Sequence, residues 1–334
     1  MKVLVTGGAG YIGSTVCSAL LDRGHVPIIM DSLVNGKIDF TKDRIFYKAD
    51  IESRESLQKI FADHPDIEYV IHCAGYIYVP ESVDNPFAYY YNNVVKSAFF
   101  YKNLCDFGCK KVIFSSTAAL YGSTDGTMVS EDMPVNPDSP YGRTKLMVEN
   151  ILQDYSVAYG LKAISLRYFN PIGADPQMRT GSYVKNPSHI LGSLLSTYSG
   201  DAPVFHICGV DWPTRDGSGI RDYLHVWDLA DAHIKAIENF DSALEKSGEG
   251  TLFTKINLGT GNGVTVKEFV QIFEKVVGRE ISKVISPPRV GDVAGAYANA
   301  ETALNLIGWS TKYTIEESIH DAIKWRESEK IEFV

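Results

Sequence analysis

The sequence predicts an α/β protein: a doubly wound parallel sheet with a smaller C-terminal α/β domain folded onto it. Three observations predict it. Short β-branched runs alternate with helical stretches through the first half of the chain. The first run ends in a glycine-rich turn that opens a helix. Beyond about residue 170 the alternation gives way to Pro- and Gly-rich connections at 171–187, 200–219 and 286–295, of the kind that build a pocket.

Taken in order, the strands are expected at Lys2–Thr6, Val26–Met30, Arg44–Lys48, Tyr69–Cys73, Lys111–Ser115 and Ala163–Arg167. Each is a run rich in Val, Ile, Phe or Tyr bounded by turn residues. Helices are expected between them at Ser14–Arg23, Ser53–Ala62, Pro86–Phe107 and Tyr141–Tyr159. The second half adds a helix near Val226–Asn239, a strand near Lys255–Leu258, and helices near Val266–Val277 and Ile315–Arg326. Residues 1–170 read as one domain and 171–334 as a second, with part of 221–260 returning to the first sheet. No internal repeat or low-complexity linker interrupts the chain.

Bulk properties narrow the partners. A net charge of −9 on 334 residues lacks the basic face that nucleic acid needs. A phosphate-bearing small molecule stays open, because it needs only local positive charge. The five cysteines, Cys17, Cys73, Cys105, Cys109 and Cys208, are odd in number and scattered, which reads as reduced core thiols. Cys105 and Cys109 lack a third ligand at metal-binding spacing, so no metal is expected. No apolar run approaches the roughly 20 residues of a membrane helix, and the first strand leaves no room for a signal peptide. A cytoplasmic protein that engages neither membrane nor nucleic acid is expected.

The first strand runs into Gly7-Gly8-Ala9-Gly10-Tyr11-Ile12-Gly13. Gly7 permits the tight turn, Gly10 lets the backbone approach a pyrophosphate, and Gly13 lets helix and strand pack closely. The helix that follows offers free N–H groups and a positive dipole end. Asp31 closes the second strand 18 residues after Gly13. A carboxylate there accepts hydrogen bonds from a ribose diol and repels a 2′-phosphate, so this Rossmann-type site is expected to take NAD rather than NADP. Lys37 and Arg44 lie near enough in sequence to oppose that choice, but solvated surface charge is the simpler role for each. Asp50-Ile51 and Cys73-Ala74-Gly75 end the third and fourth strands, where carboxyl ends face the ligand crevice. Asp50 could meet the adenine amino group or simply cap a helix.

Tyr141 and Lys145 stand four residues apart near a helix start, hence on one face. A phenol near pKa 10 is a poor base at neutral pH. An ammonium about 4–5 Å away contributes roughly 3–4 kcal/mol at an effective dielectric near 20, pulling the phenol toward the range of a general base. Ser115-Ser116-Thr117 closes the fifth strand at the same crevice and supplies a hydroxyl to bridge substrate and Tyr141. Chance co-occurrence explains the Tyr/Lys pair alone, but not the three elements in this order.

These residues resemble the extended short-chain dehydrogenase/reductase superfamily, and within it the UDP-glucose 4-epimerase family. The resemblance runs through GGAGYIGS at 7–14, DSLVNG at 31–36, VIHCAG at 70–75, ESVDNP at 81–86 and YNNV at 91–94. It continues through FSSTAALYG at 114–122, PYGRTK at 140–145, LRYFNPIGA at 166–174, RDYLHVWDLADAH at 221–233 and PRVGD at 288–292.

The resemblance implies an NAD-dependent enzyme that inverts C4 of a UDP-hexose. Tyr141 as phenolate would take the 4-hydroxyl proton while C4 passes a hydride to NAD; the 4-keto sugar would then turn and receive it on the other face. NAD would be held by the glycine turn, Asp31, Ser32, Leu33, Asn35, Gly36, Asp50, Ile51, Cys73 to Gly75, Asn92, Ser115, Lys145, Tyr168 and Phe169. Thr117 and Tyr141 would carry the chemistry. Asn170, His189, Arg221, Arg289 and Asp292 would hold nucleotide and diphosphate, with His206, Ile207 and Cys208 on the uracil side. A homodimer is implied through the helices 86–107 and 141–159, the first with Phe99, Phe100 and Leu104 among its apolar residues.

Departures from the family pattern matter. Tyr76 and Ile77 stand where a Lys often follows the Cys-Ala-Gly segment. Cys208 replaces a common aromatic. The position that excludes or admits N-acetyl groups falls on Ala296, with Tyr297 adjacent. Ala118-Ala119 after Thr117 replace the acid pair of the 4,6-dehydratases, which argues against elimination of water. A uronate epimerase, or another enzyme acting on sugar nucleotides, stays open. A non-catalytic NAD sensor would have no need of Tyr141, Thr117 and Lys145 together.

Overall fold

The computed structural model describes residues 1–184, 187–289 and 292–328; Val290 and Gly291 of the PRVGD segment, and 329–334 of the expected second domain, lie outside the described residues. Its centre is a seven-stranded parallel sheet. The strands are β1 (Lys2–Thr6), β2 (Val26–Asp31), β3 (Ile45–Lys48), β4 (Ile67–His72), β5 (Lys111–Ser115), β6 (Lys162–Tyr168) and β7 (Phe253–Leu258). Their order is β7-β6-β5-β4-β1-β2-β3. The order reverses between β1 and β4, and a ligand crevice opens at such a switch point, beyond the carboxyl ends.

Alternating side chains bury both faces of the sheet. Val3, Val5, Ile29, Ile71, Ile113 and Ile164 face α1 (Tyr11–Asp22) and α5 (Val226–Glu238). Leu4, Ile28, Met30, Val70, Val112 and Ala163 face the other side, with Leu57 and Ile60 of α2 (Arg54–Asp63), Phe100 and Leu104 of α3 (Lys96–Asp106), and Val148 and Leu152 of α4 (Pro140–Tyr159). Strands buried on both faces are what near-continuous apolar runs signal.

The helix expected over 86–107 runs without a break from Pro86 to Asp106, but it widens part-way along. A short helix, Pro86–Tyr89, leads into a π turn at Tyr90–Val95 before α3 begins. Such wide turns occur mostly as single bulges near functional sites. Here the turn carries Asn93, which is 3% exposed. Its carboxamide accepts from the Tyr76 amide (2.8 Å) and donates to the Tyr76 carbonyl (3.0 Å) and to Thr144 Oγ1 (3.2 Å). Asn93 thus ties the end of β4 to α4.

The rest of the second half packs around these ends. A four-stranded sheet joins Val264–Thr265, Ile220–Arg221, Gly295–Ala298 and Asp125–Val129 in that order. A two-stranded sheet pairs Phe205–Cys208 with Lys283–Ser286, and a helix spans Ile190–Tyr198. The core beneath them holds Leu194, Tyr223, Phe269 and Phe273.

Candidate active site

One large cavity, of about 750 Å³, opens over the carboxyl ends of the central strands. Its floor is the glycine turn. The Gly7 backbone is left-handed (φ 69°), and a Cβ there would meet the Ala74 amide nitrogen at 2.7 Å. A Cβ on Gly13 would lie 2.2 Å from the Gly7 carbonyl oxygen. The turn is therefore seated hard against β4, and α1 starts at the cavity wall with no side-chain cap and no acidic residue in its first turn. Its first amides are available to an anion.

Asp31 is 8% exposed. One carboxylate oxygen accepts the Ala9 amide (3.0 Å) and the other the Leu33 amide (2.8 Å), and burial raises its pKa against those two bonds. Each oxygen keeps a lone pair for a further donor. Lys37 and Arg44 do not point at Asp31's free side. Arg44 packs on α1, donating to Ser14 O (2.9 Å) and Ser18 Oγ (2.7 Å), and Lys37 sits 5.9 Å from the Tyr183 ring centroid. A glycine floor without room for Cβ atoms, free helix amides and a diol-accepting carboxylate fit NAD.

Gly7, Gly10, Tyr11, Ile12, Gly13, Asp31, Ser32, Asn35, Gly36, Asp50, Ile51, Cys73, Ala74, Gly75, Asn92, Tyr168 and Phe169 all line this cavity. Leu33 and Ser115 do not. Leu33 has a left-handed backbone (φ 62°) and contributes its amide to Asp31 instead. Ser115 is fully buried, with its hydroxyl 2.9 Å from His233 Nε2 and 3.2 Å from Cys73 Sγ. Asp50 is not a helix cap, since Ser53 caps α2. It is paired with Lys96 at 2.5 Å, a lysine on the cavity wall that nothing in the sequence singled out.

At the centre of the cavity stand Thr117, Tyr141 and Lys145. Thr117 caps a short 3-10 turn, accepting the Ala119 amide at 3.2 Å. Ser139 caps α4 two residues ahead of Tyr141 through the Gly142 amide, which fixes the helix start on which phenol and ammonium share a face. Burial pushes the phenol up to about 12, opposed by the nearby Thr117 hydroxyl. The Lys145 ammonium is 3% exposed and donates to the Ser115 carbonyl (2.8 Å); burial holds its pKa down to about 8, with Cys73 and Glu149 pulling the other way. The sequence reading has Lys145 drawing the phenol down. In the folded chain desolvation dominates, and the phenol moves up instead.

The far end of the cavity is cationic. Arg221 donates to the carbonyls of Ile220 (2.7 Å), Ala294 (3.0 Å) and Val293 (3.1 Å), with no carboxylate in ion-pair range among the described residues. Burial lowers its pKa, as expected of a desolvated cation with only neutral acceptors. Arg289 pairs with Asp292 at 3.2 Å and donates to the Ser188 carbonyl (3.2 Å). His189 Nδ1 accepts the Gly192 amide and so caps the helix Ile190–Tyr198, whose start lines the cavity. Asn170 joins them on the wall, but His206, Ile207 and Cys208 do not. Their strand lies in the separate two-stranded sheet: Ile207 is in the core beneath, and His206 Nδ1 is 2.8 Å from Ser286 Oγ.

Ala296 lines the cavity. Tyr297, next along the strand, lies against Gly263, where a Cβ would meet its ring at 2.6 Å. Strand alternation sends the two side chains to opposite faces.

Residues 3–258 match the model of the NAD dependent epimerase/dehydratase family. Across nearly its whole length the chain is 39% identical to the UDP-glucose 4-epimerase of Bacillus subtilis, covering 98% of this chain and 97% of that one. It is 41% identical to the UDP-glucose 4-epimerase of Halalkalibacterium halodurans, over 97% and 95%. Among solved structures it superposes, with a TM-score of 0.91 and 35% identity over 98% of each chain, on the UDP-glucose 4-epimerase of Stenotrophomonas maltophila, solved with bound NAD and formylated UDP-arabinopyranose.

Proposed function

This chain belongs to the NAD dependent epimerase/dehydratase family, and on that premise we propose that it inverts C4 of a UDP-hexose, using NAD as its cofactor. One observation carries the reading: Thr117, Tyr141 and, one helical turn on, Lys145 share a single cavity with a dinucleotide floor and the Arg221 guanidinium.

The glycine turn and the start of α1 would hold the pyrophosphate of NAD, and Asp31 the adenosine ribose. Gly75, Tyr168 and Phe169 would flank the nicotinamide half. NAD, when bound, supplies reversible oxidation at the sugar C4. The chain's own side chains do the rest. Thr117 orients the phenol of Tyr141, which takes the proton from the 4-hydroxyl and later returns it. Lys145, with a pKa near 8, is cationic at neutral pH and stabilises negative charge on that phenol once the cleft is filled. Arg221, Arg289 and the helix start capped by His189 hold the diphosphate. An anchor at the diphosphate alone leaves the hexose free to turn, so the 4-keto sugar can present its other face to the same groups.

Ala296 on the cavity wall supports acceptance of N-acetylated sugars, because its methyl group leaves the room a tyrosine would fill. A homodimer is supported by an apolar stripe at four-residue spacing: Phe87, Tyr91, Val95 and Phe99 are 76%, 42%, 39% and 59% exposed. Of the apolar residues Phe99, Phe100 and Leu104, the last two turn into the core and Phe99 stays exposed. Residues 1–170 read as the NAD-binding part and 171–334 as the sugar-nucleotide part, with β7 lent back to the central sheet. Five free cysteines fit a reducing compartment, the cytoplasm.

The test is turnover. UDP-galactose incubated with the protein and NAD should yield UDP-glucose, and Tyr141→Phe should lower kcat by roughly 10²–10⁴ while NAD binding persists. Full activity in that variant would refute the assignment, and turnover of UDP-glucuronate in preference to UDP-galactose would shift it to a uronate.

A further inference from the structure

Tyr183 lines the cavity beside the glycine turn. Its hydroxyl donates to the Asn35 carbonyl in the loop after β2, at 2.7 Å. The same oxygen lies 4.0 Å from the position of a Cβ on Gly10. Tyr183, Asn35, Gly10 and Asp31 all line the same cavity. The phenol tip therefore sits where the pyrophosphate turn and the ribose loop come together.

The ring is held from behind. Phe40, 4% exposed, meets it edge-on with centroids 5.6 Å apart, and Phe40 in turn packs on Trp325 at 6.0 Å. Trp325 Nε1 donates to the Ser182 carbonyl at 2.7 Å, which fixes the backbone beside Tyr183. A bar anchored at both ends costs little further ordering when a ligand lies beneath it.

We infer that Tyr183 is a cofactor-retaining residue: NAD leaves only after the Tyr183–Asn35 hydrogen bond opens and the ring moves off the adenosine half of the site. The inference rests on the NAD reading above. It also fits an inversion, in which the cofactor ends each turnover in its starting oxidation state and has no need to exchange.

The test measures release, not turnover. The protein and its Tyr183→Phe and Tyr183→Ala variants are loaded with 1,N6-etheno-NAD and chased with excess NAD, following fluorescence, with thermal melting as the folding check. Loss of one neutral hydrogen bond predicts about fivefold faster release for Tyr183→Phe. Removal of the whole ring predicts at least about tenfold for Tyr183→Ala. A release rate for Tyr183→Ala equal to that of the unaltered protein overturns the inference. Should Tyr183→Ala fail to fold, an unchanged rate for Tyr183→Phe overturns it instead. If the unaltered protein takes up no NAD in equilibrium dialysis, the NAD reading fails and the inference falls with it.

Discussion

Replacing Lys145 by Met should abolish activity and yet make the protein more stable at neutral pH. The ammonium is 3% exposed, and its pKa is held at about 8 against an ordinary 10.5. Below pH 8 the folded and unfolded chains both carry the proton, so the fold bears the whole cost of burying it. That gap corresponds to roughly 3 kcal/mol. Met has a similar stem without the charge, but it forfeits the hydrogen bond to the Ser115 carbonyl, worth about 1 kcal/mol. A net gain of about 2 kcal/mol remains. The gain should shrink as pH rises from 8 to 10.5, where the folded wild type has shed the proton and the unfolded chain still holds it. Above 10.5 both are neutral, the wild type has recovered fully, and only the lost hydrogen bond separates the two. Urea denaturation of both proteins at pH 7 and pH 10 measures it. A variant less stable than the wild type at pH 7 would show that Lys145 is compensated in the fold, and the electrostatic argument for its role would fail.

Three further outcomes follow from the geometry. Arg167→Met should cost about 3–5 kcal/mol in urea unfolding, because it leaves Glu149 buried and unpaired, and the double variant with Glu149→Gln should recover much of the loss. Ala296→Tyr should lower kcat/KM for UDP-N-acetylgalactosamine by at least about tenfold relative to UDP-galactose, since a clash of a few kcal/mol suffices for that discrimination; equal losses on both sugars would mean that Ala296 lies away from C2. Phe99→Glu should shift the protein from dimer to monomer in sedimentation velocity, and an unchanged sedimentation coefficient would remove the stripe on 87–99 as the interface.

The central sheet was legible because its strands are buried on both faces and announce themselves as continuous β-branched runs, with ends off by one or two residues. Val266–Val277 was legible because its apolar face repeats at helical spacing over the whole element. The second half resisted for physical reasons. Strands of two residues, such as Ile220–Arg221 and Val264–Thr265, are too short to show a period, and only the partner strands define them. The π turn inside the helix 86–107 carries Asn93, whose partner Tyr76 lies seventeen residues earlier, and no local pattern encodes that contact. The motif around Ser115 fixes its place at the strand end but not which way its hydroxyl turns, and it turns to His233 and Cys73. His206, Ile207 and Cys208 entered through resemblance alone, and their strand pairs away from the cavity. Lys96 gave no signal, being one lysine on a helix until Asp50 is brought beside it.

The buried charges fall into two kinds. Arg167 and Glu149 are 1% and 3% exposed and satisfy each other through two hydrogen bonds, at 3.0 and 2.6 Å; Ser116, Ser165 and Tyr121 complete the set. This pair joins α4 to β6 and to the residue beside Thr117, so it braces the catalytic helix without entering the cavity. Lys145 and Arg221 are the opposite case. Both are desolvated, both have their pKa pushed down, and among the described residues both donate their hydrogen bonds to backbone carbonyls. A fold that can build the first arrangement gains nothing in stability from the second. Two cations kept short of counter-charge, one beside a phenol and one at the far end of the same cavity, make sense where the missing negative charge arrives in use. For Lys145 that charge is a phenolate, and for Arg221 a diphosphate. Supplying either cation with a carboxylate, as Val293→Asp would for Arg221, should therefore stabilise the chain while raising KM for the UDP-sugar. A lower KM in that variant would break the argument.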